Sequence, residues 1–194
     1  MMRRILRLLA CGAVVLSLVA CTPTGCAVGD TQDSMPSVAH DSTHKTDITV
    51  GFVGSTDTAA DKKAIDALAD DTLNVYYASL DTSGDSETAD KIAATAQQGV
   101  TDFVDRVVKI VIISGIDVTD ANRDSWNQAL TNAREAGIPV ALLNPKHAPE
   151  DELLYAAILN TDDAASAKSV SIADAVITIT RDEPHDRTIA VATE

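Results

Sequence analysis

The chain has 194 residues, with 15 Lys+Arg against 29 Asp+Glu for a net charge of −14, 45% hydrophobic residues and 3% aromatics. That apolar fraction is ample for a packed core and excludes wholesale disorder, while the charge balance excludes a nucleic-acid role, which needs clustered Lys and Arg. Cys11, Cys21 and Cys26 all fall within the first 26 residues, so no disulfide framework or cysteine metal site staples the rest.

The chain opens with Arg3, Arg4 and Arg7, continues as an apolar run from Leu8 to Ala20, and then reaches Cys21. A basic start, a 13-residue apolar stretch and small residues before a cut site describe a secretory signal. A membrane span needs ~20 apolar residues, so this run is too short to be one. Leu18-Val19-Ala20-Cys21 resembles the bacterial lipobox, in which the cysteine is lipidated and becomes the new first residue. Residues 1–20 are therefore expected to be a lipoprotein signal peptide and Cys21 the lipidation site, the alternative being an ordinary signal with an incidental cysteine. Cleavage there removes three arginines and moves the net charge from −14 to −17. The expected location is extracytoplasmic, lipid-anchored to a bacterial cell membrane.

Residues 21–46 are rich in Ser, Thr, Asp, Gly and Pro and poor in bulky apolar side chains, as in a flexible tether. His40 and His44 stand four apart there without a third ligand, so no metal site is expected.

From residue 47 to 194 strand and helix patterns alternate. Ile48–Val53 is a short apolar strand, and Asp61–Asp70 a helix with Ala64, Ile65, Ala67 and Leu68 on one stripe. Leu73–Ala78 reads as a second strand, and Ser86–Val104 as a helix carrying Ile92, Ala93, Ala96, Val100 and Phe103 at helical spacing. Val107–Ile113 is β-branched and nearly continuous, as a strand buried on both faces must be. The next helix runs from about Asp120 to Ala136 with Trp126 as a core residue, stopped by Gly137 and Pro139. Val140–Leu143 and Tyr155–Leu159 are further strands, Asp162 to about Asp182 a predicted helix, and Thr188–Ala192 a sixth strand.

Such repetition implies right-handed crossovers and an α/β fold, a doubly wound and mostly parallel sheet covered on both faces. Ligands in these folds bind beyond the carboxyl ends of the strands, where the strand order reverses. The candidate ligand-binding residues there are Ser55, Asp57, Ser114, Asp117, Asn144 and Asp162, joined by Thr56, Gly115, Lys146, Asn160 and Thr161. Short hydroxyl, amide and carboxylate groups suit hydrogen bonding to a neutral polyhydroxyl ligand. The same residue types also cap helices, and Asp61, Asp120 and Asp162 are open to that simpler reading.

Motifs for group-transfer chemistry are missing. There is no phosphate-binding Gly-x-x-x-x-Gly-Lys loop, no dinucleotide fingerprint around Gly51 and Gly54, and no Gly-x-Ser-x-Gly elbow. Asp117 has the position of a receiver-type phosphoacceptor, without the acidic pair expected after the first strand. His147 and His185 read as isolated surface residues beside prolines. The expectation is a protein without cofactor and not an enzyme.

Val108 to Gly115, then Asp117, Trp126 and Ala136-Gly-Ile-Pro-Val-Ala-Leu-Leu143, in this order and spacing, resemble the N-terminal lobe of type I periplasmic sugar-binding proteins of the ribose and galactofuranose kind. Leu154-Tyr155 and the strand into Thr161-Asp162 match the same lobe further on, so the resemblance covers about Ile48 to Glu194. It implies a single Rossmann-like lobe, truncated relative to the two-lobe family, and the substrate-capturing role of an ABC importer. The chain departs from that pattern in lacking aromatic or basic side chains in Ser55–Ala60 and in carrying Asn144-Pro145 where the family has an Asp-Arg pair. Losing half of the contacts of a micromolar site, about −8 kcal/mol, leaves about −4, or millimolar binding.

Two functional readings follow. One is a substrate-binding lipoprotein, a fragment or a shortened form, with a small carbohydrate ligand and an ABC permease as partner. The other is an accessory lipoprotein of the cell envelope that keeps the fold, binds no sugar and contacts another envelope protein.

Overall fold

The computed structural model describes residues 44–80, 89–162 and 168–193. The predicted signal peptide, Cys21 and the tether as far as residue 43 lie outside the described residues. In chain order the described elements are β1 (Thr49–Val53), α1 (Thr58–Asp70), β2 (Asn74–Ala78), α2 (Ala89–Asp105), β3 (Ile110–Ser114), α3 (Arg123–Glu135), β4 (Val140–Leu143), β5 (Ala157–Asn160), β6 (Val170–Ser171), α4 (Ile172–Thr180) and β7 (Thr188–Ala192). They form the predicted α/β fold, one seven-stranded sheet in the order β2-β1-β3-β4-β5-β7-β6 with every pairing parallel.

The central strands are apolar because both of their faces are covered. Every residue of β3 and β4 is buried, whereas β2 at the edge exposes Tyr76 and Tyr77. One core gathers Phe52, Leu68, Ile110, Ile112, Leu159, Ile172 and Val176 under α1 and α4. The other gathers Val100, Phe103, Ile113, Trp126, Leu130 and Leu142 under α2 and α3. Aromatic residues are few, and each face of the sheet has its own large plug: Phe52 on one, Trp126 on the other.

All four described helices end in one motif. Thr72, Val107, Gly137 and Asp182 have φ between 45° and 72°, the left-handed region. The amide of each donates three residues back, and the following amide, of Leu73, Val108, Ile138 or Glu183, donates five residues back. This double bond caps the last carbonyls of the helix. After α1, α2 and α3 the next residue is a buried aliphatic, Leu73, Val108 or Ile138, which seats the chain for the coming strand. Glycine signals only one of the four stops.

That motif corrects the predicted start of the third strand. Val107 is not in β3; it is the left-handed stop of α2, is 71% exposed, and β3 begins at Ile110. A β-branched side chain is strained there. Val107→Gly is therefore expected to stabilise the chain by about 1 kcal/mol, read as a rise of roughly 2–4 °C in the unfolding midpoint. A lower midpoint would show that the valine side chain packs better than its exposure implies.

The predicted helix from Asp162 is also corrected. In the described part α4 starts only at Ile172, because the Ser171 hydroxyl accepts the Asp174 amide at 2.9 Å and nucleates the first turn there. Val170 and Ser171 instead pair with Val191 and Ala192. Other boundaries shift less. α1 begins at Thr58 rather than Asp61, α3 at Arg123 rather than Asp120, and β5 at Ala157 rather than Tyr155. Lys45–Asp47 forms a 3-10 turn pinned by a 2.8 Å ion pair between Lys45 and Asp71, so the tether's last residues belong to the folded body.

Near the far edge, Arg187 locks β7 to the approach of β5. Its guanidinium donates to the Tyr155 carbonyl at 2.9 Å and the Glu152 carbonyl at 2.7 Å, and lies 5.0 Å over the Tyr155 ring. Burial pushes the Tyr155 phenol above its ordinary pKa, with the nearby Arg187 charge opposing that rise.

Candidate functional site

The strand order places β1 and β3 side by side with their connections leaving in opposite directions, β1 through α1 to β2 and β3 through α3 to β4. The loops beyond these two strands diverge and leave a crevice. A cavity of about 280 Å³ opens there, lined by Ser55, Asp57, Ser114, Asp117 and Asn144, five of the six predicted ligand residues. Thr56, Gly115 and Lys146 line it as well. Asp162 does not; it lies past β5, exposed, its amide donating to the Asn160 side chain at 2.8 Å.

The loop after β1 is built around Asp61. This carboxylate is only 1% exposed and accepts the Ser55 amide at 2.6 Å and the Ser55 hydroxyl at 3.0 Å. The Ser55 hydroxyl in turn accepts the Asp57 amide at 3.0 Å, and the Asp57 carboxylate caps α1 through the Ala60 amide. Asp61 is thus not the helix cap that the sequence allows. It sits one turn inside and holds the loop from below. Gly54 makes room for this: a Cβ there would lie 2.7 Å from the Tyr77 hydroxyl and 3.0 Å from the Asp61 carboxylate.

Beyond β4, Asn144 adopts φ 45°, which Asn tolerates better than most residues. Its side-chain amide donates to the Thr161 hydroxyl at 2.7 Å and accepts the Thr161 amide at 2.9 Å, clasping the tips of β4 and β5. Asn144→Ala loses both bonds and keeps the strained backbone, an expected cost of about 2 kcal/mol; Asn144→Gly loses the clasp alone and costs about 1 kcal/mol. Chemical denaturation of the pair measures the difference. Equal losses would contradict the backbone share.

The loop after β3 is tied to the loop after β4. Asp117 and His147 form an isolated parallel bridge, and the His147 Nδ1 lies 2.7 Å from the Asp117 carboxylate. His147, isolated in the sequence, is therefore paired, although it stays 73% exposed. Asn122 closes the turn, accepting the Thr119 amide at 2.8 Å and donating to the Asp117 carbonyl at 3.2 Å. Asp120, the predicted cap, pairs instead with Arg123 at 2.6 Å. His147 itself does not line the cavity, although its partner Asp117 does.

What remains available at the rim is narrower than the residue types promise. The Ser114 hydroxyl, 9% exposed, makes no hydrogen bond among the described residues, and the Lys146 ammonium forms no ion pair there. The floor was not foreseen. Leu80, Ile92, Ala93, Ala96, Ile113 and Trp126 line it, all but Ile92 buried. The sequence signal was a stripe of small residues, Ala89, Ala93 and Ala96, on one helix facing the core that holds the lone tryptophan. A second, more open hollow of about 640 Å³ lies across the strand tips on the α1 side, lined by Lys63, Thr161 and Thr193 and sharing Asp57, Ser114 and Asn144. Among the described residues no three His, Cys, Asp or Glu side chains are grouped to hold a metal ion.

No protein-family model and no curated protein matches this chain. Solved structures similar to it include a galactofuranose-binding protein, 16% identical with a TM-score of 0.46, over 74% of this chain and 56% of that one. A protein from Mycobacterium smegmatis in complex with β-D-fucofuranose is 16% identical with a TM-score of 0.45, over 75% of this chain and 54% of that one. A protein of Burkholderia pseudomallei described as pilus assembly-related is 16% identical with a TM-score of 0.44, over 76% of this chain and 98% of that one. The chain spans about half the length of the two sugar-complexed or sugar-binding relatives. These likenesses concern the arrangement of strands and helices.

Proposed function

We propose that this is an extracytoplasmic small-molecule-binding lobe, held to the membrane through Cys21, whose ligand is a neutral carbohydrate bound at the strand tips. The observation that supports this most is the convergence of Ser55, Asp57, Ser114, Asp117 and Asn144, read from strand ends alone, on one cavity at the reversal of strand order. A transporter permease, or another envelope protein, is the partner such a lobe would serve. Binding from one lobe is shallow, in the millimolar range.

Thermal shift with pentoses and hexoses at about 100 mM tests the reading. A ligand at 100 times its Kd stabilises by ~2.7 kcal/mol, which moves the midpoint by roughly 5–11 °C. Ser114→Ala breaks no hydrogen bond of the free protein, so it is expected to reduce that shift and leave the unliganded midpoint in place. An unmoved midpoint with every sugar contradicts the carbohydrate reading.

One observation favours the second reading, an accessory lipoprotein that binds no sugar. The polar groups of Ser55, Asn144 and Asp117 are already engaged by Asp61, Thr161 and His147. On that reading the loops are a rigid surface for a protein partner, and cooperative unfolding unaffected by sugars is the result it predicts.

A further inference from the structure

We propose that the strand-tip cavity is shaped for an amphiphile, a hydroxylated head group carrying one aromatic ring or an alkyl group of similar size, and not for a bare sugar. This rests on the binding reading above and specifies its ligand class.

The cavity has two kinds of wall. Its mouth carries the hydroxyl, amide and carboxylate groups of Ser55, Ser114, Thr119 and Asn144, while its floor is aliphatic and aromatic. A bare sugar seated on that floor would turn hydroxyls toward Leu80, Ile92, Ala93 and Ile113, none of which can hydrogen-bond them. An apolar ring there loses nothing and removes surface from water. Size agrees as well. A dry cavity of about 150 Å³ accepts benzene, so about 280 Å³ takes a ring and part of a head group.

The independent mark is Trp126. Its side chain is 2% exposed and lines this cavity, yet its indole Nε1 is buried without a hydrogen-bond partner among the described residues. Buried donors are almost always paired, and an indole N–H can only donate. Its nitrogen is closed to solvent, so a ligand in the cavity meets the indole through its ring carbons, which suits a phenyl or alkyl group and not a hydroxyl. The net charge of −14 makes an anionic ligand unfavourable, so the head group is neutral.

Trp126 is also the chain's one tryptophan, so its emission reports on the cavity directly. The full chain is titrated with free pentoses and hexoses, their methyl glycosides, their phenyl glycosides, and phenol alone. Phenyl glycosides are expected to bind at least about tenfold more tightly than methyl glycosides and to change the Trp126 emission. Ala93→Leu, which fills the floor, is expected to erase that preference. Equal affinity for methyl and phenyl glycosides overturns the amphiphile proposal and leaves the carbohydrate reading standing. Phenol binding as tightly as the phenyl glycosides, with no sugar bound, overturns both, as does the absence of any binding.

Discussion

Asp61→Ala is expected to destabilise the chain by about 3 kcal/mol, lowering the unfolding midpoint by roughly 6–12 °C. The carboxylate is 1% exposed and is the sole acceptor for the Ser55 amide and hydroxyl. Hydrogen bonds to a charged group contribute about 1.5–3 kcal/mol each, and a donor left unpaired adds its own desolvation cost. Two neighbouring changes calibrate the result. Ser55→Ala removes both bonds of the hydroxyl, to Asp61 and from the Asp57 amide, and Asp57→Ala only the helix cap, expected losses of about 2 and about 1 kcal/mol. If Asp61→Ala costs no more than Asp57→Ala, the loop after β1 is not held from below, and the cavity wall that it forms is not rigid.

Phe52→Ala is expected to cost about 4 kcal/mol, the middle of the range for deleting a buried phenyl ring. Phe52 is fully buried in the core beneath α1 and α4, with the tilted Tyr77 ring 6.1 Å away. The adjacent Tyr77 is half-exposed in the edge strand β2, so filling the void with its ring would require a shift of that strand. Urea unfolding should show a lower midpoint with an unchanged slope. A loss below about 2 kcal/mol would mean that this face of the sheet collapses around the deletion, and that α4 is less firmly seated than its burial indicates.

The strands were legible because their burial on both faces leaves a direct trace, the β-branched run of Ile110–Ile113 being the plainest. Helix ends were legible in position, each within two residues, but the motif that makes them was not. Thr72 and Val107 hold left-handed conformations that propensity assigns to glycine, and the buried seats of Leu73 and Val108 override that preference, while Asp182, followed by exposed Glu183, is a residue type that tolerates the conformation. Val107 therefore read as strand, and the helical repeat before α4 carried the predicted helix through residues 168–171, past the cap at Ser171. At the site the rim was legible, since any residue beyond a parallel strand lies near the crevice. The internal claims on that rim were not: Asp61 is six residues from Ser55, and Thr161 is seventeen from Asn144. Nor was the floor, because Ala93, Ala96 and Trp126 sit at ordinary core spacing, and only the packed helices reveal a void between them.

A ligand is expected to bind in the crevice beyond β1 and β3, and amide-proton NMR of the full chain locates it residue by residue. The single tryptophan supplies one indole N–H signal, from a ring that lines the cavity. On titration with the best-binding sugar or glycoside, that signal and the amides of Ser55, Ser114, Gly115 and Asp117 are expected to shift together with one dissociation constant. Shifts confined to the exposed edge at Tyr76 and Tyr77, or to the Arg187 clamp, with the indole signal unmoved, would contradict it.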